Sequence, residues 1–286
     1  MELAGRSPHD LGVERSRWTL ELLGKACAWL ADYTPSGIWR VLQRLGFSRK
    51  QVQDHIHSPD PAYDAKCAAI AAHVAEAQTS QQIVLCYLDE VTMLRQPTHA
   101  PAYAVRGGPQ PRAERSLKED TPSRLVATLD RRDGRVCFRP GSKITVPTLV
   151  TFYRDLVAAY PDAVRIYVVL DNWPVHFHPD LLVALEPQES PFPFSRPRSW
   201  PDEPHETAVT KWGALQLPIQ LVPLPTYASW LNPIEKLWRW LRQDLGHRHP
   251  WADDLDALRA ALACFLGQFA DGSIDLLRYV GLPMPT

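Results

Sequence analysis

The stretch LPTYASWLNPIEKLW, residues 224–238, carries the most specific pattern in the chain. Asn232 and Pro233 are typical of a helix cap followed by the first helical position, which places Glu235 in the first turn. We therefore predict a helix that starts here and buries the tryptophans and leucines of residues 237–241. A carboxylate so close to a helix start can also reach towards neighbouring strand ends.

Two apolar runs upstream of this helix are each followed by an acidic residue. IVLCYL at residues 83–88 precedes Asp89 and Glu90, and RIYVVL at residues 165–170 precedes Asp171 and Asn172. Short, continuous apolar runs rich in strand formers predict strands that are covered on both faces. The sequence thus predicts two core strands, each ending in an aspartate.

The rest of this region predicts a mixed set of strands and helices. Further strands are expected at residues 102–105, 124–129, 135–138 and 217–221, and helices at residues 146–160 and 255–269. Residues 186–213 are rich in proline and have no periodicity, so they predict a surface insertion without regular structure. If that insertion packs near the site, it offers DNA-binding groups in Arg196, Arg198, Trp200 and Lys211.

Three carboxylates at two strand ends and one helix start favour a site for hard cations. Taken singly, each is explained by a solvated strand end or a helix cap; as a set, Asp89, Asp171 and Glu235 predict a shared site. Oxygen ligands select Mg²⁺ or Mn²⁺, and two such ions about 3.5–4 Å apart can activate water and stabilise the leaving oxygen of a phosphodiester. The expected chemistry is that of nucleases and strand-transfer enzymes.

Residues 1–57 predict a small helical domain with a helix-turn-helix outline. Apolar residues recur at helical spacing over residues 18–30, and a second helix, capped by Ser36, is expected to end before Gly46. Its predicted buried face consists of Ile38, Val41, Leu42 and Leu45. The predicted DNA-binding residues, on and just beyond the opposite face, are Arg40, Gln43, Arg44, Arg49 and Lys50. The alternative is an ordinary solvated basic face.

Residues 58–61, SPDP, break this pattern and start an alanine-rich helix at about residues 62–77. We interpret residues 58–79 as a helical connector and residues 80–286 as a second, α/β domain. Within this second domain, residues 106–143 are rich in arginine, which predicts either a phosphate-contacting surface or a mixed-charge hairpin.

Bulk composition is that of a globular protein without a membrane segment. The 286 residues are 45% hydrophobic and 22% charged, with a formal net charge of −1, and the five cysteines form no CxxC pair. Scattered cysteines favour free thiols in a reducing compartment over a zinc site. Because the first residues lack a basic-then-apolar signal pattern, we expect a cytoplasmic protein.

The segments LDE (88–90), VVLDN (168–172) and LNPIEKLW (231–238) resemble the three signature blocks of the mariner-like superfamily of DDE transposases, in its bacterial insertion-sequence branch. The resemblance implies a ribonuclease-H-like mixed sheet flanked by helices, behind a small helix-turn-helix domain. It implies that Asp89, Asp171 and Glu235 are catalytic and hold two Mg²⁺ or Mn²⁺ ions. Glu90, Asn172 and Asn232 match the blocks outside this trio, and His176 is expected beside the site.

The reaction implied is cleavage of double-stranded DNA at terminal inverted repeats, followed by joining of the freed ends to target DNA by a homodimer or larger assembly.

The sequence departs from the family pattern in two ways. Asp171 and Glu235 are 64 positions apart, a long interval for which the proline-rich insertion accounts. One helix-turn-helix fits ahead of Ser58 where many members have two, as expected of a chain that is shortened or that begins late in its reading frame. A DNA endonuclease that does not join ends, and a DNA-binding remnant, remain alternatives.

Overall fold

The computed structural model describes residues 6–49, 58–194 and 196–283. The chain divides into two compact units, Met1–Ile56 and His57–Thr286. Within the described residues, no helix is both long and apolar enough to cross a membrane.

The first unit is built from short helices. They are a 3₁₀ turn at His9–Leu11, α1 (Leu20–Ala26), a 3₁₀ turn at Ala28–Leu30, and α2 (Pro35–Arg44). Leu23, Leu30 and Ile38 form its small buried core. Each α-helix starts at a threonine cap: Thr19 accepts from the Leu22 amide at 3.1 Å and Thr34 accepts from the Gly37 amide at 3.2 Å.

Three local predictions for this unit need correction. The helix predicted over residues 18–30 breaks at Cys27, whose backbone is extended. The second helix is capped by Thr34 rather than Ser36, because Pro35 occupies its first turn. Leu45, predicted to be buried, is 40% exposed. The left-handed conformation predicted for Gly46 is confirmed, with a φ of 82°.

The second unit is a five-stranded mixed sheet with helices on both faces. Its strands are β1 (Ile83–Leu94), β2 (Pro122–Asp130), β3 (Val136–Gly141), β4 (Arg165–Leu170) and β5 (Ile219–Pro223). Its helices are α3 (Tyr63–Thr79), α4 (Val146–Ala159), α5 (Pro179–Leu182), α6 (Glu206–Trp212), α7 (Ile234–Leu241), α8 (Leu255–Gly267) and α9 (Ile274–Val280). Shorter turns lie at Pro174–Phe177, Ser229–Leu231 and, in π-helical form, Arg242–Gly246.

The strand order is β3-β2-β1-β4-β5. The β1–β2 and β2–β3 pairs are antiparallel, whereas β1–β4 and β4–β5 are parallel. Side chains alternate across the sheet, so Tyr87 packs with Trp238 on one face while Cys86 and Leu88 pack with Phe152 on the other. The predicted strands at β1 and β4, covered on both faces, and the burial of Leu237, Trp238 and Leu241 are confirmed.

Four expectations for the second unit were wrong. β1 does not stop at Asp89 but pairs with β2 as far as Leu94. Residues 102–105 form no strand, and Tyr103 is fully exposed. The proline-rich segment contains helix α6, which begins where the His205 side chain caps the Thr207 amide. Asn232 is not the cap of α7, since that helix begins after Pro233.

Candidate active site

Strand register brings the two aspartates to the same level of the sheet. The parallel β1–β4 pairing ends with Tyr87 opposite Val169. Asp89 and Asp171 each lie two positions further along, so both side chains emerge on the same face beyond the last pair. The Asp171 side chain is 53% exposed, and its Oδ1 accepts a hydrogen bond from the Trp173 amide at 2.9 Å.

Helix α7 carries Glu235 to these aspartates. Asn232, just before the helix, donates from Nδ2 to the carbonyl of Leu88 over 2.9 Å, and Trp238, one turn after Glu235, donates from Nε1 to Asp89 Oδ2 over 2.8 Å. These two bonds fix the start of α7 to the segment of β1 that bears Asp89. The prediction that Glu235 lies in the first turn is confirmed.

The site is crowded with negative charge. Burial, then the charges of Glu235 and Glu90, raise the pKa of Asp89 to about 7. Burial likewise raises the pKa of Glu235, with the charge of Asp171 adding to it and Arg242 opposing it. The charge of Glu235 thus acts on Asp89, and the charge of Asp171 acts on Glu235, as expected where acids lie close together.

His176 and Glu90 form a buried pair beside the aspartates. The ring of His176 is fully buried, with Nε2 at 3.5 Å from Glu90 Oε1 and 3.6 Å from Asp171 Oδ1. Burial would lower the pKa of His176, but the negative charges of Glu90, Asp171 and Asp89 outweigh it and the pKa is raised. Neither ring nitrogen nor Glu90 Oε1 has a hydrogen-bond partner among the described residues.

The loops that carry the acids are tied together. Asn172 donates from Nδ2 to the carbonyl of Leu224 over 2.7 Å, which links the ends of β4 and β5. The proline-rich insertion packs on the turn that holds His176: Phe194 stacks on Phe177 at 4.5 Å, and the Trp200 ring lies 4.6 Å from that of His178. The insertion thus supports the loop after Asp171.

The donor chemistry of this site fits a divalent cation. Carboxylate oxygens are the ligands that Mg²⁺ and Mn²⁺ prefer, and a cation would offset the burial and the repulsion that together raise the pKa of Asp89. The side chains are not yet in ligating positions, because no group of three or more His, Cys, Asp or Glu among the described residues is arranged to hold a metal. Joint coordination therefore requires side-chain movement.

Three of the predicted DNA-binding residues share one exposed face of α2 in the first unit. Arg40, Gln43 and Arg44 are exposed on α2, on the side away from buried Ile38, and Arg49 is exposed beyond it. Lys50 lies outside the described residues. Among the described residues, no salt bridge engages the three arginines of this surface.

Three arginines of the stretch 106–143 bond within the fold. Arg132 donates to the carbonyls of Ala77, Ser80 and Ile83 at 2.7–2.9 Å. Arg135 donates to the Ala159 carbonyl at 3.0 Å, and Arg139 pairs with Asp155. These pairs agree with a mixed-charge hairpin at β2–β3, and a phosphate-contacting surface elsewhere in the stretch stays a prediction.

Sequence reasoning missed the second role of Trp238, which it assigned only to the core. The signal was present, because residues three apart on a helix share a face and Trp238 follows Glu235 by three. It also missed the contacts of the SPDP segment, where Ser58 and Asp60 bind Thr226 in the loop ahead of Glu235. No local pattern marks a pairing over so long a separation.

Comparison with known proteins assigns the chain to a family. The sequence profile of the DDE superfamily endonuclease family matches residues 84–259, a range that includes Asp89, Asp171 and Glu235. The chain belongs to the DDE superfamily endonuclease family. This DDE superfamily chain is also 24% identical over 250 residues to the insertion element IS630 uncharacterized 39 kDa protein of Shigella sonnei. That alignment covers 87% of this chain and 64% of the relative, so the chain spans less than two thirds of the relative's length.

Solved structures similar to this DDE superfamily member establish its fold. The Mos1 mariner paired end complex with Mn superposes with a TM-score of 0.58 at 15% identity, covering 96% of this chain and 73% of that one. The Mos1 strand transfer complex gives 0.55 at 14% identity, with 96% and 72% covered. The predicted ribonuclease-H-like mixed sheet behind an N-terminal helical region is confirmed.

Proposed function

We propose that this protein is the transposase of a bacterial insertion sequence. It cleaves double-stranded DNA at terminal inverted repeats and joins the freed ends to target DNA in the cytoplasm. The observation that carries the proposal is the convergence of Asp89, Asp171 and Glu235, from two parallel strands and one helix start, into electrostatic contact. Membership of the DDE superfamily endonuclease family and the likeness to an insertion element protein support it.

The three carboxylates would hold two Mg²⁺ or Mn²⁺ ions. When bound, such ions activate the attacking oxygen and stabilise the leaving oxygen of a phosphodiester. Asp89 and Asp171 would bind them from the sheet, and Glu235 would complete the site from α7. The similar Mos1 structure, which is described as a complex with Mn, supports this choice of metal.

The chain's own residues set the position of these ligands. Trp238 orients Asp89 through its indole N–H, and Asn232 anchors the start of α7 on Leu88. The buried His176 ring contacts both Glu90 and Asp171 and so supports the position of Asp171. These contacts would hold the elements that carry the acids, so that side-chain movement alone brings the carboxylates together on the ions.

DNA recognition is assigned to residues 1–57, with residues 58–79 as the connector and residues 80–286 as the catalytic domain. The exposed face of Arg40, Gln43 and Arg44 on α2 would enter the major groove, with Arg49 and Lys50 on the flanking phosphates. Joining two DNA ends calls for a homodimer or larger assembly. The Mos1 structures described as paired end complexes support this arrangement.

The test is a cleavage and joining assay on DNA that carries the flanking repeats, with Mg²⁺ or Mn²⁺. Wild type is compared with Asp89→Asn, Asp171→Asn and Glu235→Gln, and with Asp162→Asn as an exposed control of the same chemistry. Joined products that disappear in the three site variants and persist in the control are expected. Cleavage without joining would favour an endonuclease. Repeat binding without metal-dependent cutting would identify a DNA-binding remnant.

A further inference from the structure

A part-buried cluster at the start of α3 forms hydrogen bonds to Thr226, in the loop that precedes Glu235. Ser58 Oγ donates to the carbonyl of Thr226 over 2.6 Å, and the Thr226 amide donates to Asp60 Oδ2 over 2.8 Å. Both backbone polar groups of Thr226 are therefore held by side chains more than 160 positions earlier in the chain. We call Ser58, Asp60 and Lys66 the latch.

The three latch residues also bond to one another and to nearby backbone. Lys66 Nζ lies 2.8 Å from Asp60 Oδ2, with side-chain exposures of 10% and 6%. Asp60 Oδ1 accepts from the Ala62 amide at 2.9 Å, and the Asp60 amide donates to Ser58 Oγ at 3.2 Å. Burial alone would raise the pKa of Asp60, but the hydrogen bonds from Lys66, Thr226 and Ala62 lower it to about 2. A buried, ionised and fully bonded carboxylate is a rigid anchor.

The loop beyond the latch is strained. Tyr227, directly after Thr226, has a φ of 56°, in the left-handed region that aromatic residues seldom adopt, and its ring is 77% exposed. Its own side chain, so exposed, can contribute little packing to hold that backbone. Strain of this kind persists only where the surroundings impose it. The bonds to both polar groups of Thr226 supply that constraint.

The same loop leads directly to the candidate active site. Ala228 is buried, Asn232 is bonded to Leu88, and Glu235 follows in the first turn of α7. The loop is thus fixed at Thr226 by the latch and at Asn232 by β1. We propose that Ser58 and Asp60 are positioning residues, which set Glu235 by fixing Thr226; the metal-binding part of this inference rests on the proposed function.

The test measures local exchange and metal binding, so that neither requires DNA. Amide hydrogen exchange is followed in full-length Ser58→Ala and Asp60→Asn, and Mn²⁺ binding is followed by calorimetry. The largest rise in exchange is expected at residues 224–235, above any rise shared by the whole second unit. Mn²⁺ affinity is expected to fall roughly tenfold, as for other residues that orient a metal ligand. Ser58→Thr, which keeps the hydroxyl, should restore both.

Matched controls separate positioning from general stability. Ser273→Ala and Asp254→Asn alter caps of α9 and α8, whose side-chain hydrogen bonds within the described residues go to Leu276 and Ala257 rather than to residues 224–235. If Asp60→Asn does not fold, the milder Ser58→Ala carries the test. Exchange that rises no more at residues 224–235 than elsewhere in the second unit, or Mn²⁺ affinity equal to that of the controls, would overturn the inference.

The two proposals can fail separately. If wild type cleaves and joins DNA and the latch variants are indistinguishable from the controls, the transposase proposal is supported and the positioning role of the latch is contradicted. If wild type shows no metal-dependent cleavage but the latch variants change both local exchange and Mn²⁺ affinity, the transposase proposal is contradicted and the positioning role of the latch is supported.

Discussion

The indole N–H of Trp238 donates to Asp89 Oδ2 over 2.8 Å, so a core residue of α7 holds a carboxylate of β1. Trp238 is fully buried and cannot move without disturbing the packing around it. Trp238 thereby fixes one of the two carboxylate oxygens of Asp89. Helix α7 thus supplies Glu235 and also orients the acid that Glu235 faces.

Trp238→Phe should slow metal-dependent DNA cleavage by about tenfold or more. A hydrogen bond to a charged group contributes about 1.5–3 kcal/mol, and ~1.4 kcal/mol corresponds to tenfold. Phenylalanine keeps most of the packing but cannot hold Asp89. Single-turnover cleavage rates are the measurement, and Trp240→Phe, which loses a similar bond to Asp244 on the same helix, is the control. Equal rates in both variants would contradict the assigned role.

The buried pair of Glu90 and His176 should show strong energetic coupling. His176→Leu removes the imidazole that lies 3.5 Å from Glu90 and leaves that buried side chain without its partner, which we expect to lower the free energy of unfolding by about 3–5 kcal/mol. Glu90→Leu with His176→Leu should recover much of that loss. Urea unfolding of both single variants and the double variant measures the coupling. Strictly additive losses would argue that the two side chains act independently.

Asp130→Asn should stabilise the second unit at neutral pH. Burial first, then the charge of Asp133, raise the pKa of Asp130 to about 6 from an ordinary 3.8. A raised pKa favours the protonated form in the folded state, so its contribution is present below pH ~4 and is lost as pH rises through about 6. Asparagine keeps the Oδ1 acceptor for the Arg132 amide.

The expected gain from Asp130→Asn is up to ~3 kcal/mol at pH 7.5 and close to zero at pH 4. Thermal melts across that range measure it, with exposed Asp162→Asn as the control. A difference that does not change with pH would sink the assignment of a raised pKa.

Asp60→Asn should behave in the opposite way. The hydrogen bonds from Lys66, Thr226 and Ala62 hold the pKa of Asp60 at about 2 despite its burial. A lowered pKa means that the stabilisation is present above pH ~4 and is lost as pH falls through about 2. Asp60→Asn should therefore be about 2 kcal/mol less stable at pH 7, and the gap should close as the pH approaches 2. Unfolding free energies of the two proteins between pH 2 and 7 would reveal the convergence or its absence.

Local patterns gave the main elements of this fold correctly. The apolar runs that end before Asp89 and Asp171, and the Asn-Pro pair before Glu235, each depend on a few neighbouring residues, and all three elements are present. Expectations failed where contacts between distant segments outweigh the preferences of the local sequence. β1 continues past Asp89 because β2 pairs with it, and the Asn232 side chain turns to Leu88 instead of capping α7.

The places of Asp89, Asp171 and Glu235 at two strands and one helix start could be predicted, because periodicity and capping are short-range effects that leave a trace within ten or so residues. The partners of those acids could not be read in this way. Trp238 on Asp89, His176 on Glu90 and Asp60 on Thr226 each join segments far apart in sequence. Such contacts arise only when the packed sheet and helices bring their side chains within hydrogen-bonding or ion-pairing distance, and nothing in the local sequence encodes that distance.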